Sequence, residues 1–600
     1  MMLERINSFL DTLDNAFEDD QSYIQEEINK TINFILDETF RQGKVAIVGN
    51  GSHTERMIAD YKQLCDVDII DEKYSLDSGR KRQQHNLRGY DCIQAYDSLI
   101  VGSRKYEEEI KKQIYSCGFN GRVIDIYQEL QNYGLCVPTD YYKLKEFPYI
   151  VETIGRKKLE KNPDDICCLG NMIFEAIHNR DFCGAREYLQ FYKMTIQQNI
   201  DYIDDLISII EELEKEIRHL FESRTRQDFV AFWIDALRYE LSTEMPFLNE
   251  CRKMGMDFKH AYSSTCSTRN TYGCILYDCD EADLFNKKFE KFRLLETLEQ
   301  NGYVGYRVNG LGSISFYDFN INEDKPIVYN VPSSKIMWDT MIQVLESDIP
   351  VFCICHIGLE THVPFISPWS SNWDRYTVAD PFFQIKGEEH LFRHLENAKT
   401  SAMYCDKQLQ YISHLMGDSV VKIYFADHGV FLKKKTAQYM DDMMHVPFII
   451  TGSGISAASE EKVILTRHMR EVVEWIIEKK HSKAISIGRE YVCVYGIDAY
   501  NPEWIREILE NDLGESGIQY NGVRTNKDLY IIDALGEEKY YIYPEHFENR
   551  IKDPQCQDRI QYLKGLLIEK HIDITTHPKF FPTLELYKGI GKKFMWEEEK

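Results

Sequence analysis

Apolar residues near helical spacing in the first stretch (Ile6, Phe9, Leu10, Leu13, Phe17) predict a helical segment over residues 1–40. The texture then switches. Residues 44–51 read as a short buried strand running into a glycine-rich turn, with a helix from about Thr54. Short apolar runs recur at 67–70, 98–101 and 122–126, separated by helical patterns. Strands alternating with helices predict a doubly wound parallel sheet. Residues 160–225 read as helical throughout, and 203–220 carry Glu and Lys between their apolar positions, as a helical connector with solvated faces does. Beyond residue 227, continuous apolar runs at 229–234, 351–355, 420–425 and 446–450 predict strands buried on both faces, hence a large α/β domain. Residues 517–532 alternate like an antiparallel strand pair, and 539–543 add an edge strand. The expected organisation is a small α/β domain with an N-terminal helix over 1–150, a helical connector over 151–226, and a large domain over 227–600 whose small terminal sheet begins near 515.

Six hundred residues exceed what one hydrophobic core serves, so several domains are expected. A net charge of −26 argues against non-specific binding to nucleic acid or to anionic membranes, which needs a basic surface. No apolar run approaches the ~18–20 residues of a membrane span. The first residues lack the basic and apolar regions of a signal peptide. Sixteen cysteines are scattered without paired CxxC modules, which argues against a zinc finger. Many free thiols without an export signal point to a reducing cytoplasm.

Two groups of residues change the picture chemically. In the front domain, Gly49 and Gly51 with Asp71 some twenty residues on form an incomplete dinucleotide fingerprint, Thr54 standing where the third glycine belongs. The turn would hold an anion at a helix N-terminus, making this a nucleotide site; the other reading is a scaffold domain. The region resembles the small Rossmann-like domains of bacterial glycan-biosynthesis proteins.

The second group lies in the large domain. Asp235 ends the first apolar run. Residues 262–269 (Tyr-Ser-Ser-Thr-Cys-Ser-Thr-Arg) follow, then 356–364 with His356 and His362, then Asp427-His428-Gly429 and finally His445. Each segment sets oxygen or nitrogen donors beside an apolar run. Strand ends of a parallel sheet converge on one crevice, so these distant donors can meet. Carboxylate oxygens with imidazole nitrogen suit a divalent cation. Taken singly, Asp235 is a helix cap, His362 and His445 are loop histidines, and Thr265 is a cap.

The ordered set resembles the alkaline phosphatase and sulfatase superfamily over roughly residues 228–550. It is most similar to the sulfatase-like branch containing phosphoethanolamine transferases and lipoteichoic acid synthases. The resemblance implies a sulfatase-like (alkaline phosphatase-like) mixed α/β sheet flanked by helices. It also implies metal ligands Asp235, Asp427 and His428, with Thr265 as metal-bound nucleophile and Arg269 on the same helix face four residues later. His362 and His445, and less directly His356, would bind substrate oxygens, protonate the leaving group or hold a second metal. Zinc or manganese fits this ligand set best, magnesium or calcium less well. Sulfatases carry cysteine or serine, oxidised to formylglycine, where this chain has Thr265, with Ser267 in place of the usual proline. The resemblance thus implies phosphate-ester hydrolysis or transfer, on an anionic small molecule or a glycan precursor, through an unmodified alcohol. The alternatives are a sulfuric ester hydrolase and an inactive sulfatase-like scaffold or nucleotide sensor. Arg524, Lys527 and the run Lys433–Lys435 would face or attract an anionic substrate, or else lie on solvated surfaces.

Overall fold

The computed structural model describes residues 2–72, 81–82, 85–104, 106–137, 140–144, 149–196, 199–265, 268–280, 283, 291–309, 331–358, 388–429, 444–478, 487–496, 520–533, 538–543 and 548–569. They form two compact units that divide between Glu211 and Glu212.

The first unit opens with two helices, α1 (Met2–Asp14) and α2 (Tyr23–Arg41), where hydrophobic spacing alone predicted one helical stretch. Asn15, Asp19, Asp20 and Ser22 lie in the break, and such side chains offer the backbone alternatives to helical hydrogen bonds. A six-stranded sheet follows, from β1 (Val45–Val48), β2 (Asp68–Ile70), β3 (Lys81–Arg82), β4 (His85–Arg88), β5 (Ser98–Val101) and β6 (Arg122–Ile124), in the order β3-β4-β2-β1-β5-β6. All neighbours are parallel except β3 with β4. The connecting helices include α3 (Ser52–Asp60), α4 (Glu107–Ser116) and α5 (Ile126–Asn132). Then come α6 (Ile150–Lys161), α7 (Ile166–His178), α8 (Phe182–Thr195) and α9 (Ile200–Glu222), the last spanning the division between units. Lys158 on α6 ties this layer to α2, with its Nζ 2.6 Å from Asp165, which caps α7, and 2.8 Å from the Tyr23 hydroxyl.

The second unit is built on a seven-stranded mixed sheet. Its strands are β7 (Asp228–Ile234), β8 (Met256–Tyr262), β9 (Val304–Asn309), β10 (Val351–Ile357), β11 (Val420–Phe425), β12 (Phe448–Thr451) and β13 (Ala458–Leu465), in the order β13-β8-β12-β11-β7-β10-β9. β7 is central, parallel to both β10 and β11, and buried along its whole length. That explains its unbroken apolar run. Phe229, Trp233, Phe352, Phe425 and Phe448 meet in one core, each contributing roughly 1.5–3 kcal/mol by burial. β12 runs antiparallel and begins one residue after Pro447, which has no N–H to give a ladder. The terminal sheet has four antiparallel strands in sequence order: β14 (Val492–Gly496), β15 (Tyr520–Arg524), β16 (Asp528–Asp533) and β17 (Glu538–Ile542). It therefore starts a strand earlier than the expected boundary near 515, and the run at 539–543 is its edge strand. Among the described residues no helix is long and apolar enough to cross a membrane.

Two buried acids carry energetic consequences. Asp228 at the start of β7 accepts from Arg224 Nη1 at 2.7 Å, Arg226 Nε at 3.2 Å and the Val351 N–H at 2.9 Å. It joins the starts of β7 and β10. Asp228→Ala leaves two largely buried guanidinium groups without their carboxylate and should cost about 3–5 kcal/mol, read as a lowered midpoint in thermal circular dichroism. Glu152 on α6 is buried, takes one hydrogen bond from the Tyr188 hydroxyl at 3.1 Å, and leaves Oε1 without a partner. Burial first, then Asp181 and Glu175, pushes its pKa well above the usual carboxylate range. A carboxyl group raised in the folded state binds more protons folded than unfolded, so its contribution to stability falls as pH rises above the unfolded value. Glu152→Gln should therefore stabilise the protein at pH 8, and the gain should vanish toward pH 4 in paired thermal melts.

Candidate metal and active site

The centre is assembled by strand register. β7 and β11 are parallel neighbours with Phe425 opposite Trp233, so the residues two beyond each, Asp427 and Asp235, emerge side by side. Both are buried, at 0% and 1% exposure. The chain stays bonded to the sheet past the end of β7, because the Asp235 N–H donates to the Ile357 carbonyl at 2.8 Å. It then turns sharply at Ala236, whose φ of +60° is a left-handed conformation that costs a residue with a Cβ about 1 kcal/mol or more. The Ala236 N–H donates to Asp427 Oδ1 at 3.0 Å, so the turn is pinned by the neighbouring acid.

His428 completes the group. Its Nδ1 lies 2.7 Å from the Gly429 carbonyl. A carbonyl only accepts, so Nδ1 carries the ring proton and Nε2 presents its lone pair. That nitrogen is 3.4 Å from Asp427 Oδ2 and 3.9 Å from Asp235 Oδ1. One donor atom from each of Asp235, Asp427 and His428 falls within 4.8 Å of the others. Asp427 Oδ2 is buried and has no hydrogen-bond partner. A buried carboxylate oxygen left unsatisfied is costly unless a cation or donor meets it. Two hard oxygens and one imidazole nitrogen around an orphaned oxygen fit a divalent cation.

The alcohol beside this group is Thr268, the first described residue of α10 (Thr268–Tyr277). Its Oγ1 lies 2.9 Å from His428 Nε2 and 3.4 Å from Asp235 Oδ2. Thr265, the alcohol expected here, occupies the preceding loop. It is fully buried, with its hydroxyl 3.0 Å from that of Thr271. Thr271 and Ser263 both donate to the Asp427 carbonyl, Thr271 at 3.2 Å, fixing this loop against the end of β11. The sequence expectation set a helix start at Thr265, and the described helix runs Thr268–Tyr277.

The histidines separate. His356 is fully buried on β10, and its Nε2 donates to Asp235 Oδ2 at 3.0 Å while Trp233 packs edge-on at 4.7 Å between centroids. It orients the Asp235 carboxylate, where a substrate or second-metal role was expected of it. His445 is not brought to the cluster. Its ring stacks between Tyr239 at 4.0 Å and Tyr262 at 5.0 Å, and Nε2 donates to the Lys259 carbonyl at 2.8 Å. Burial, reinforced by the charge of Arg524, drives its pKa well below the usual imidazole value, so it is neutral. This corrects the expectation that His445 binds substrate or metal: it is a packing residue behind the loop that leads to Thr265. Arg524 is buried rather than turned to solvent, 3.6 Å from the Tyr543 ring centre and 4.3 Å from that of Tyr262, and it donates to the Tyr262 hydroxyl at 2.5 Å. His362, Cys266, Ser267, the side chain of Arg269 and Lys433–Lys435 lie outside the described residues. In the first unit, Gly49 and Gly51 form the turn after β1, and the Asp71 N–H donates to the Arg88 carbonyl at 3.0 Å.

Residues 228–472 match the family model described as Sulfatase. No curated protein matches the sequence. Among solved structures, the chain is similar to a 2-O GAG sulfatase (14% identity, covering 58% of this chain and 92% of that one, TM-score 0.45). It is also similar to a phosphonate monoester hydrolase from Silicibacter pomeroyi (14% identity, 59% and 96%, TM-score 0.44). A further similar structure was solved in complex with its substrate, D-glucosamine-2-N,6-O-disulfate (12% identity, 59% and 100%, TM-score 0.44). The acids at the ends of β7 and β11 fall inside the matched segment, and residues 228–472 form a domain of the sulfatase / alkaline phosphatase-like superfamily.

Proposed function

We propose that the second unit is a dication-dependent hydrolase of phosphate esters, with Asp235, Asp427 and His428 holding the cation and Thr268 as the attacking alcohol. The observation that carries this reading is the Thr268 hydroxyl, in contact with His428 and Asp235 beside the unpartnered Asp427 oxygen. A bound dication would neutralise the two acids and acidify a hydroxyl or water beside it. The remaining work falls to the chain. Thr268 offers an oxygen whose proton has two acceptors within hydrogen-bonding reach. α10 directs its positive end toward the charge that develops on the attacked group. His356 fixes Asp235, and the Ala236 N–H fixes Asp427. Arg269 is the next residue of α10. Zinc or manganese suits two carboxylates, one imidazole and one hydroxyl better than calcium, which takes six to eight oxygens.

Threonine in this place favours phosphate over sulfate esters, because it is not a precursor of the formylglycine aldehyde. The second reading, a sulfuric ester hydrolase, is supported by the family match itself. Assays with nitrophenyl phosphate, its diester and nitrophenyl sulfate, with zinc or manganese added, separate the two. Release from phosphate esters but not from the sulfate is expected, and the reverse preference would transfer the assignment to sulfatase. Adding glycan acceptors to the phosphate assay then distinguishes transfer from hydrolysis by product.

Thr268→Ala should lower kcat by about 10³-fold or more, as loss of an attacking group does, whereas Thr265→Ala should act mainly on stability. A large loss at Thr265 with little at Thr268 would return the role to Thr265. Zinc or manganese at about 100 times its dissociation constant should stabilise the chelator-treated protein by about 2.7 kcal/mol, seen as a raised melting midpoint. That shift should disappear in Asp427→Asn.

A further inference from the structure

In the second unit, a row of planar side chains runs from the terminal sheet to the two connections that carry the cluster. Arg524, the last residue of β15, is only 3% exposed. Its guanidinium lies 3.6 Å from the ring centre of Tyr543 and 4.3 Å from that of Tyr262, and its Nη2 donates to the Tyr262 hydroxyl at 2.5 Å. Tyr262 packs on His445 at 5.0 Å between ring centres, and His445 on Tyr239 at 4.0 Å. The Arg252 guanidinium ends the row, 5.4 Å from the Tyr239 ring. A guanidinium withdrawn from water replaces its hydration with ring faces and directed hydrogen bonds. A lysine ammonium, a strongly hydrated point charge, does this poorly. Leu465 of β13, Val494 and Leu529 already dock the terminal sheet in one apolar core with Tyr262. The charge buried in addition to that core fixes where the Tyr262 ring lies.

The row is tied to the backbone on both sides of the centre. Tyr262 ends β8, and the Ser263 N–H beside it donates to the Met444 carbonyl at 2.7 Å. The Val446 N–H returns to the Ala261 carbonyl at 3.0 Å, so residues 444–446 are paired to the end of β8. The Tyr239 N–H donates to the His445 carbonyl at 2.9 Å. Tyr239 stands four residues after Asp235, and Tyr262 six residues before Thr268. The Ser263 hydroxyl also donates to the Asp427 carbonyl. The end of β8, the turn after Asp235 and the end of β11 thus share one support. Its outer members, Arg524 and Tyr543, come from outside the sheet that carries the cluster.

We propose that Arg524 is a positioning residue for the reaction: packed against Tyr262 and Tyr543, it fixes Tyr262 and Ser263 against the end of β11 and so holds the Thr268 hydroxyl beside His428. The inference rests on the reading of Thr268 as the attacking alcohol. That hydroxyl is 2.9 Å from His428 Nε2 and 3.4 Å from Asp235 Oδ2. Misplacing a reacting group by about 1 Å costs roughly 10²-fold in rate, even when the cause lies far from the chemistry. The terminal sheet therefore governs kcat through Arg524 without touching substrate.

The test pairs ester-hydrolysis kinetics with amide exchange in the full chain carrying Arg524→Ala or Arg524→Lys. Arg524→Ala should lower kcat by about 10²-fold and leave KM within about twofold. Arg524→Lys should not restore the rate, whereas millimolar guanidinium added to Arg524→Ala should restore part of it by re-entering the gap beside the two rings. Exchange at the Ser263 and Tyr239 amides should accelerate by about tenfold or more while β7 and β11 keep their protection. If Arg524→Ala does not fold, Tyr543→Leu removes only the outer ring and should show the same local exchange with a smaller loss of kcat. An unchanged kcat in folded Arg524→Ala, or full restoration by Arg524→Lys, overturns the proposal. Exchange that rises equally through β7 and β11 marks a global loss of stability and overturns it as well. If the unaltered protein hydrolyses no ester, the reading of Thr268 fails instead, and the exchange pattern alone decides whether Arg524 holds the end of β8.

Discussion

The second unit depends on one constraint: two carboxylates forced side by side at the ends of adjacent parallel strands. Nothing in the β7–β11 ladder allows Asp235 and Asp427 to move apart, because the pairing of Phe425 with Trp233 fixes their separation and the aromatic core fixes the pairing. Like charges buried together are unfavourable without a compensating cation. The surrounding contacts divide the acids' oxygens in advance. His356 takes one oxygen of Asp235, and the Ala236 N–H takes one oxygen of Asp427. The other Asp235 oxygen and the unpartnered Asp427 oxygen face His428 Nε2, a nitrogen turned to them because Nδ1 is committed to its own chain.

Much of this was legible in the sequence because it follows from strands alone. An apolar run ending abruptly in an acid says where a central parallel strand stops, so Asp235 and Asp427-His428 could be named from pattern. The roles of the threonines and the remaining histidines could not, because they depend on contacts across the fold. Ser263 and Thr271 both bond the Asp427 carbonyl, and sequence spacing carries no record of that. His356 and His445 look alike in the sequence, each close to an apolar run. One meets a carboxylate and the other two tyrosine rings, a difference set by neighbours far along the chain. β8 escaped notice because Asp257, Lys259 and His260 interrupt its apolar residues.

In the second unit, acids at strand ends leave a buried acceptor that calls for a cation. This relies on a property of parallel sheets, which gather residues distant in sequence at one edge. In both units threonine hydroxyls seal loops: Thr271 against the Asp427 carbonyl, and Thr54 between the Gly49 and Gly102 carbonyls.

The left-handed Ala236 links the architecture to local opening. A residue with a Cβ holds that conformation only while something outside it compensates, and here the compensation is a single N–H bond to Asp427. Removing that acceptor, as Asp427→Ala does, takes the bond away, and the backbone beside Asp235 then gains from relaxing toward an ordinary conformation. The substitution would therefore loosen the peptide at 235–236 ahead of the surrounding sheet. Amide exchange at Ala236 would accelerate while the rest of β7 remains protected.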